Sequence, residues 1–237
     1  MGLFNKPARL FTRREALGAL GVLGTAGLLG CQRPKAHPAA MEAVGCVLIP
    51  EETEGPYPLD LSSEIAYFRK NISEGRPGLP LSLTLSLVNL SNRCTPLRNA
   101  RVDIWHCDKD GIYSGVEQPG HNTVGQTFCR GIMLSNQQGQ VTFHTIYPGW
   151  YEGRVTHIHF RVYLNNGLVA TSQLAFPEDI THTVYESEAY RQRGQNTTIA
   201  KNTDDMVFAD GDQYQLLTLT PAQQGGYDGS LTVGIAV

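Results

Sequence analysis

Residues 79–90, Leu-Pro-Leu-Ser-Leu-Thr-Leu-Ser-Leu-Val-Asn-Leu, put an apolar side chain at almost every second position. Only an extended strand sends alternate side chains to one face, so this segment must lie in a sheet with one buried side. The same period recurs downstream. From Arg101 to Cys107, Val102, Ile104 and His106 share one face, and Asp103 and Trp105 the other. Residues 131–134 and 140–145 flank the turn-forming Asn136-Gln137-Gln138-Gly139 and read as a hairpin; 156–163 and 168–176 flank Asn165-Asn166-Gly167 and read as a second. Residues 230–237 form a closing strand, and only 183–193 looks helical. With 25 Gly and 13 Pro to turn the chain, the pattern predicts an all-β fold. An antiparallel β-sandwich with long functional loops is the economical arrangement.

The first 30 residues follow different rules. Lys6, Arg9, Arg13 and Arg14 precede an uncharged run from Ala16 to Gly30. That run is short for a bilayer span and suits the apolar core of a signal segment. Arg13-Arg14 resembles a twin-arginine export signal, and Leu28-Leu29-Gly30-Cys31 resembles a lipoprotein cleavage box. The expectation is therefore an exported, extracytoplasmic protein, either attached to the membrane through a lipidated Cys31 or released by ordinary signal cleavage nearby. Residues 31–44 lack periodicity and read as a tether; 45–237 is one domain. Without residues 1–30 there remain 207 residues with 15 basic and 21 acidic side chains, a net charge of −6. That balance gives no electrostatic footprint for nucleic acid, and nothing in the pattern sets an oligomeric state. Cys46, Cys94, Cys107 and Cys129 form an even set without zinc-like spacing. They read as structural, with three pairings open.

His157-Ile158-His159 is the sharpest local feature. On a strand both imidazoles leave the same face and can reach one ion, although the pair alone reads equally as two solvated histidines. Tyr151, in Pro148-Gly149-Trp150-Tyr151, lies behind a turn that can fold it over that strand, and Tyr113 follows the turn-forming Asp108-Lys109-Asp110-Gly111. A phenol ionises near pH ~10 and binds as phenolate only where a strong Lewis acid displaces its proton. Hard phenolates with borderline imidazoles suit Fe(III) better than Zn(II). Other candidates read as structural: His106 as packing or surface, Tyr147 as packing, His121, His144 and His182 as surface, and Arg130 as a core-capping ion pair or, by preference, a loop support.

Four stretches in order, Thr53-Glu54-Gly55-Pro56-Tyr57, Val102-Asp103-Ile104-Trp105-His106 with Gly111-Ile112-Tyr113, Tyr147-Pro148-Gly149-Trp150-Tyr151, and Arg154-Val155-Thr156-His157-Ile158-His159-Phe160, resemble the intradiol ring-cleavage dioxygenases. The resemblance is nearest to an exported branch of that family. It implies a sandwich whose long loops surround a mononuclear, non-haem Fe(III) site with Tyr113, Tyr151, His157 and His159 as ligands. It places Arg154 beside the substrate, Gln173 near the oxygen-binding side, and Tyr57 in the pocket wall; Trp150 divides between pocket wall and core. The implied reaction opens a catechol-type ring with O2 between its two hydroxyl-bearing carbons, giving a cis,cis-muconate-type diacid. Tyr151 serves as a proton acceptor and Arg154 as an electrostatic stabiliser. The competing reading is a catalytically silent exported sandwich that binds a partner.

Overall fold

The computed structural model describes residues 46–61 and 64–237. The signal segment 1–30, Cys31 and the rest of the tether 31–44 lie outside the described residues. The elements run β1 (Pro80–Asn89), β2 (Thr95–Pro96), β3 (Arg101–Trp105), β4 (Glu117–Gln118), β5 (His121–Asn122), β6 (Arg130–Leu134), β7 (Gln140–Ile146), β8 (His157–Leu164), β9 (Gly167–Ala175), α1 (Glu178–Glu186), β10 (Thr218–Pro221) and β11 (Tyr227–Ile235). One sheet has the order β10-β11-β1-β2, with β7 also pairing with β1; a second has the order β6-β3-β8-β9; β4 and β5 form a small hairpin.

The alternating strand lies where its pattern demands. Leu81, Leu83, Leu85 and Leu87 of β1 are buried and meet Val102 and Ile104 of β3 and Ile158, Phe160 and Val162 of β8 in one core. Each such side chain contributes roughly 1.5–3 kcal/mol of hydrophobic stabilisation. The second hairpin forms: Asn165 and Asn166 take φ of 49° and 65° between the closing pair Leu164 and Gly167. Two left-handed residues in a row give the turn whose twist matches paired strands.

Four expectations change. Residues 130–134 and 140–146 are strands, but they do not pair. The Asn136 side chain closes the turn by accepting from Gln138 N and Gln140 N, each at 2.9 Å. The chain thereby passes from the second sheet, where β6 bonds β3, to the first, where β7 bonds β1. The closing strand β11 runs parallel to β1 along Leu81–Asn89, whereas the other named strand pairs are antiparallel. The helix covers Glu178–Glu186 rather than 183–193. Glu178 and Asp179 occupy its first turn, where negative charge complements the helix dipole. Ser187 ends it with ψ 158°, and separate turns such as Tyr190 N to Ser187 O follow. Among the described residues one disulfide forms, Cys46–Cys94, while Cys107 and Cys129 are buried free thiols.

β8 is buried on both faces. Ile158, Phe160 and Val162 point to the core, and His157, His159 and Arg161, on the opposite face, are also buried. Residues 52–59 cover that outer face. Glu52 N donates to Thr171 O at 2.9 Å, Gln173 Nε2 to Thr53 O at 2.9 Å, Arg161 Nη2 to Leu59 O at 2.7 Å and Arg130 Nη2 to Tyr57 O at 2.9 Å. A polar strand face under a strap of chain is a protected site.

Of the two places its pattern allows, core or surface, His106 takes the core. It is fully buried, with Nδ1 2.7 Å from Cys107 O and Nε2 2.8 Å from Thr145 Oγ1. A carbonyl only accepts, so Nδ1 carries the proton. Burial pushes the imidazole down to about 4. A pKa below its unfolded value of ~6.5 means that the unfolded chain binds the extra proton, so the contribution is complete above that pH and is lost as pH falls. The metal-free domain should lose about 3 kcal/mol from this residue between pH ~6.5 and ~4. His106→Asn should flatten the urea-midpoint profile in that window; an unaltered profile would show that His106 is not held neutral.

Candidate metal centre

Two loops and one strand deliver four donor side chains to the covered face. β8 presents His157 and His159 two residues apart, and its register with β3 places Trp105 beside His159. Tyr113 sits beyond the Asp108 turn, where the Asp108 carboxylate accepts from Asp110 N and Ile112 N, both at 3.0 Å. Tyr151 sits beyond the Pro148-Gly149 turn. The two tyrosine loops touch through backbone: Gly149 N donates to Asp108 O at 3.0 Å, and a Cβ on Gly149 would lie 2.2 Å from Lys109 O. No larger residue permits that approach.

The donor atoms converge closely. Tyr113 Oη lies 3.3 Å from His157 Nε2 and 3.1 Å from His159 Nε2. Tyr151 Oη lies 3.2 Å from His157 Nε2, and the two Nε2 atoms are 3.1 Å apart. His157 Nδ1 donates to Val155 O at 2.6 Å, which leaves a bare lone pair on Nε2 facing the cluster. His159 is held by packing: Trp105 stacks on it with centroids 5.1 Å apart and planes 4° from parallel, while its buried Nδ1 has no protein partner. On the other side lies Gly55, at φ 75°, where a Cβ would stand 2.6 Å from His159 Cε1.

These groups fit a hard, highly charged cation. Burial holds the His157 and His159 imidazoles well below the ordinary range, with Arg154 adding to it at His157 and His157 adding to it at His159. Both rings are therefore held neutral, with lone pairs free to donate. Burial also pushes Tyr113 well above a free phenol and Tyr151 up to about 12. Phenols so placed ionise only for a strong Lewis acid, and two phenolates offset most of the charge of a trivalent ion. Among the described residues no group of three or more His, Cys, Asp or Glu side chains could hold a metal ion, so the donor set needs its tyrosines.

Other candidate residues surround the cluster. Arg154 Nη1 is 3.4 Å from both Tyr151 Oη and His157 Nε2, and Nη2 donates to Gln173 Oε1 at 2.6 Å. The Tyr57 ring lies 5.1 Å from that of Tyr113. A cavity of about 340 Å³, a size suited to small molecules, opens beside Tyr151 and is also lined by Tyr57, Ile112, Gln118, Glu152 and Arg193. The Trp150 ring stands behind that lining. Its Nε1 donates to Gly194 O at 2.9 Å, it packs on the core, and Arg193 lies over its face at 4.4 Å. Arg130 supports a loop, donating Nε to Ser114 O at 3.0 Å and Nη2 to Tyr57 O. His121, His144 and His182 are exposed, and Tyr147 packs against Phe176 and Tyr190. Two residues with no assigned role in the sequence reading also matter here: Gly55, which leaves room for the His159 ring, and Asp205, which grips Arg154 at 2.8 Å.

Comparison with known proteins gives the arrangement its context. The family model Dioxygenase_C, described as dioxygenase, matches residues 54–209, the stretch holding every donor and most of the covering strap. The chain belongs to the intradiol ring-cleavage dioxygenase family. An intradiol ring-cleavage dioxygenase from Tetranychus urticae superposes with a TM-score of 0.71 at 32% identity, over 81% of this chain and 95% of that one. The dioxygenase domain of a dioxygenase–carbohydrate-binding protein fusion from Streptomyces sp. SirexAA-E gives 0.57 at 25% identity, over 81% and 99%. Catechol 1,2-dioxygenase of Acinetobacter baylyi is 27% identical over 164 residues, 61% of this chain but 50% of that relative. The chain thus spans about half of that curated intradiol enzyme.

Gly55→Ala tests the packing around His159. It puts a methyl group into the ring and strains a left-handed residue, while leaving all four donors intact. Ferric affinity, measured by chelator competition, should fall about tenfold or more with the circular dichroism spectrum unchanged. Unaltered affinity would separate the strap from the donor set.

Proposed function

We propose that this protein is an exported non-haem Fe(III) dioxygenase that opens a catechol-type ring with O2 between its two hydroxyl-bearing carbons, giving a cis,cis-muconate-type diacid. The observation that carries this reading is the meeting of two phenol oxygens and two imidazole nitrogens on one buried face, with neighbouring donors 3.1–3.3 Å apart, in a chain of this family. Tyr113, Tyr151, His157 and His159 would hold the ion. When bound, Fe(III) would act as a Lewis acid toward a catecholate and draw electron density from its ring.

The chain's own groups have separable tasks. Tyr151 is the more accessible of the two phenols and borders the cavity, whereas Tyr113 is 1% exposed. Tyr151 Oη is therefore suited to take a proton from an arriving catechol hydroxyl. Arg154 Nη1, 3.4 Å from that oxygen, stabilises anionic charge on the substrate, a role for which a fixed guanidinium is well suited. Gln173 holds Arg154 through Oε1 and the strap through Nε2. Tyr57 walls the cavity above Tyr113, and Trp150 backs Arg193 at its rim. The strap excludes water from His159, so the interactions act in a low-dielectric setting. The silent-module reading draws no support, because all four donors are present and converge.

Purified protein reconstituted with Fe(III) should show a visible phenolate-to-iron band that shifts on anaerobic addition of catechol. Tyr113→Phe should weaken and blue-shift that band and lower ring cleavage by about two orders of magnitude or more. A protein that stays colourless after ferric reconstitution would sink the enzyme reading.

Export belongs to the same proposal. It is supported by the twin-arginine and lipobox resemblances and by the Cys46–Cys94 disulfide, a bond of oxidising compartments. The full chain should partition with membranes, and Cys31→Ser should release it to the soluble extracytoplasmic fraction. Equal partitioning of the two would remove Cys31 as an anchor.

A further inference from the structure

Asp205 has no exposed surface and lies in Asn202-Thr203-Asp204-Asp205, a stretch without any recognisable motif. Its carboxylate has four bonds. Oδ1 and Oδ2 accept from Arg154 Nε at 2.9 and 2.8 Å, Oδ2 from Val155 N at 2.9 Å and Oδ1 from Val207 N at 2.9 Å. Arg154 distributes its remaining nitrogens between Gln173 Oε1, at 2.6 Å, and the Tyr151 and His157 donor atoms, at 3.4 Å each. Gln173 Nε2 then donates to Thr53 O. A continuous polar chain, Asp205–Arg154–Gln173–Thr53, therefore runs behind the donor cluster and ends in the strap.

Two consequences follow from ordinary physics. A guanidinium is planar, so anchoring Nε and Nη2 leaves Nη1 a single direction, toward Tyr151 Oη and His157 Nε2. Arg154 is also a permanent cation beside a site assigned to a trivalent one. Like charges a few ångströms apart in a buried setting repel strongly unless a counter-charge is fixed nearby. Asp205 is that counter-charge, and it sits on the side of Arg154 away from the donors.

We propose that Asp205 is the positioning residue for Arg154: its carboxylate aims Nη1 at the donor cluster and cancels a charge that would otherwise oppose ferric binding. The inference rests on the ferric reading above and concerns a residue outside the donor set. It separates orientation from charge, since a glutamate retains the charge and shifts the carboxylate by one methylene, while an asparagine removes the charge.

A double-mutant cycle of wild type, Asp205→Asn, Arg154→Met and the double variant tests it, with ferric affinity read by chelator competition and folding read by the urea midpoint of the metal-free protein. D205N should lower ferric affinity about tenfold, and the double variant, from which both charges are gone, should bind close to wild type, because no uncompensated charge remains. A D205N protein with a lowered midpoint but wild-type affinity and visible band would overturn the proposal, leaving Asp205 only a structural cap. A double variant that binds ferric ion as weakly as D205N would overturn it as well. Should D205N not fold, Asp205→Glu decides: ferric affinity should hold while kcat falls about tenfold with little change in KM, and an unaltered kcat would refute the aiming role. If wild type itself binds no ferric ion, the ferric reading fails on that measurement. The midpoint cycle then decides the ion pair alone, coupling supporting it and additivity overturning it.

Discussion

Everything at the centre depends on how a polar strand face is kept dry. His157 and His159 leave β8 on the side away from the hydrophobic core, where an ordinary sandwich strand would be wet. Residues 52–59 prevent that by lying across the face, held through their backbone carbonyls by Gln173, Arg161 and Arg130. Side chains that donate to backbone oxygens hold a segment whatever its own side chains are. The strap's sequence is therefore free to serve the site, with Gly55 over the His159 ring and Tyr57 beside Tyr113.

Burial then sets the chemistry. Removed from water, the imidazoles stay neutral and the phenols resist ionisation, so the metal-free cluster is an array of lone pairs without charge. Such an array gains most from a cation able to displace phenolic protons. Among the described residues the permanent charge touching it is that of Arg154, which Asp205 balances on its far side. The site thus combines an uncharged ligand set, one compensated cation and a cavity on the Tyr151 side.

The parts of this arrangement visible in the sequence were those with short-range signatures. The leucine alternation of β1, the Asn165-Asn166 hairpin and the two-residue spacing of His157 and His159 follow from strand geometry, and each appears in the fold. The turns before Tyr113 and Tyr151 make them candidates, but only resemblance joins them in one ligand set, since what brings them together is backbone contact between two loops at Gly149. The apparent first hairpin failed because a turn sequence specifies a reversal and not the sheet that receives the next strand. The helix lay earlier than expected because successive turns after Ser187 imitate its periodicity. Asp205 was out of reach: a carboxylate fifty-one residues from its arginine leaves no local pattern.

The parallel alignment of β11 with β1 gives the two sheets different histories during synthesis. β3, β6, β8 and β9 all lie within residues 101–175, so the sheet bearing the imidazoles is complete in the chain while residues 176–237 are still unmade. The other sheet places its last strand beside its first and cannot close until β11 has been made. The strap and all four donors precede that moment, whereas Asp205 arrives after them. A nascent chain would therefore hold its imidazoles and phenols with Arg154 unneutralised and with two strands missing from the other sheet, and the last segments would bring both the counter-charge and those strands, β10 and β11.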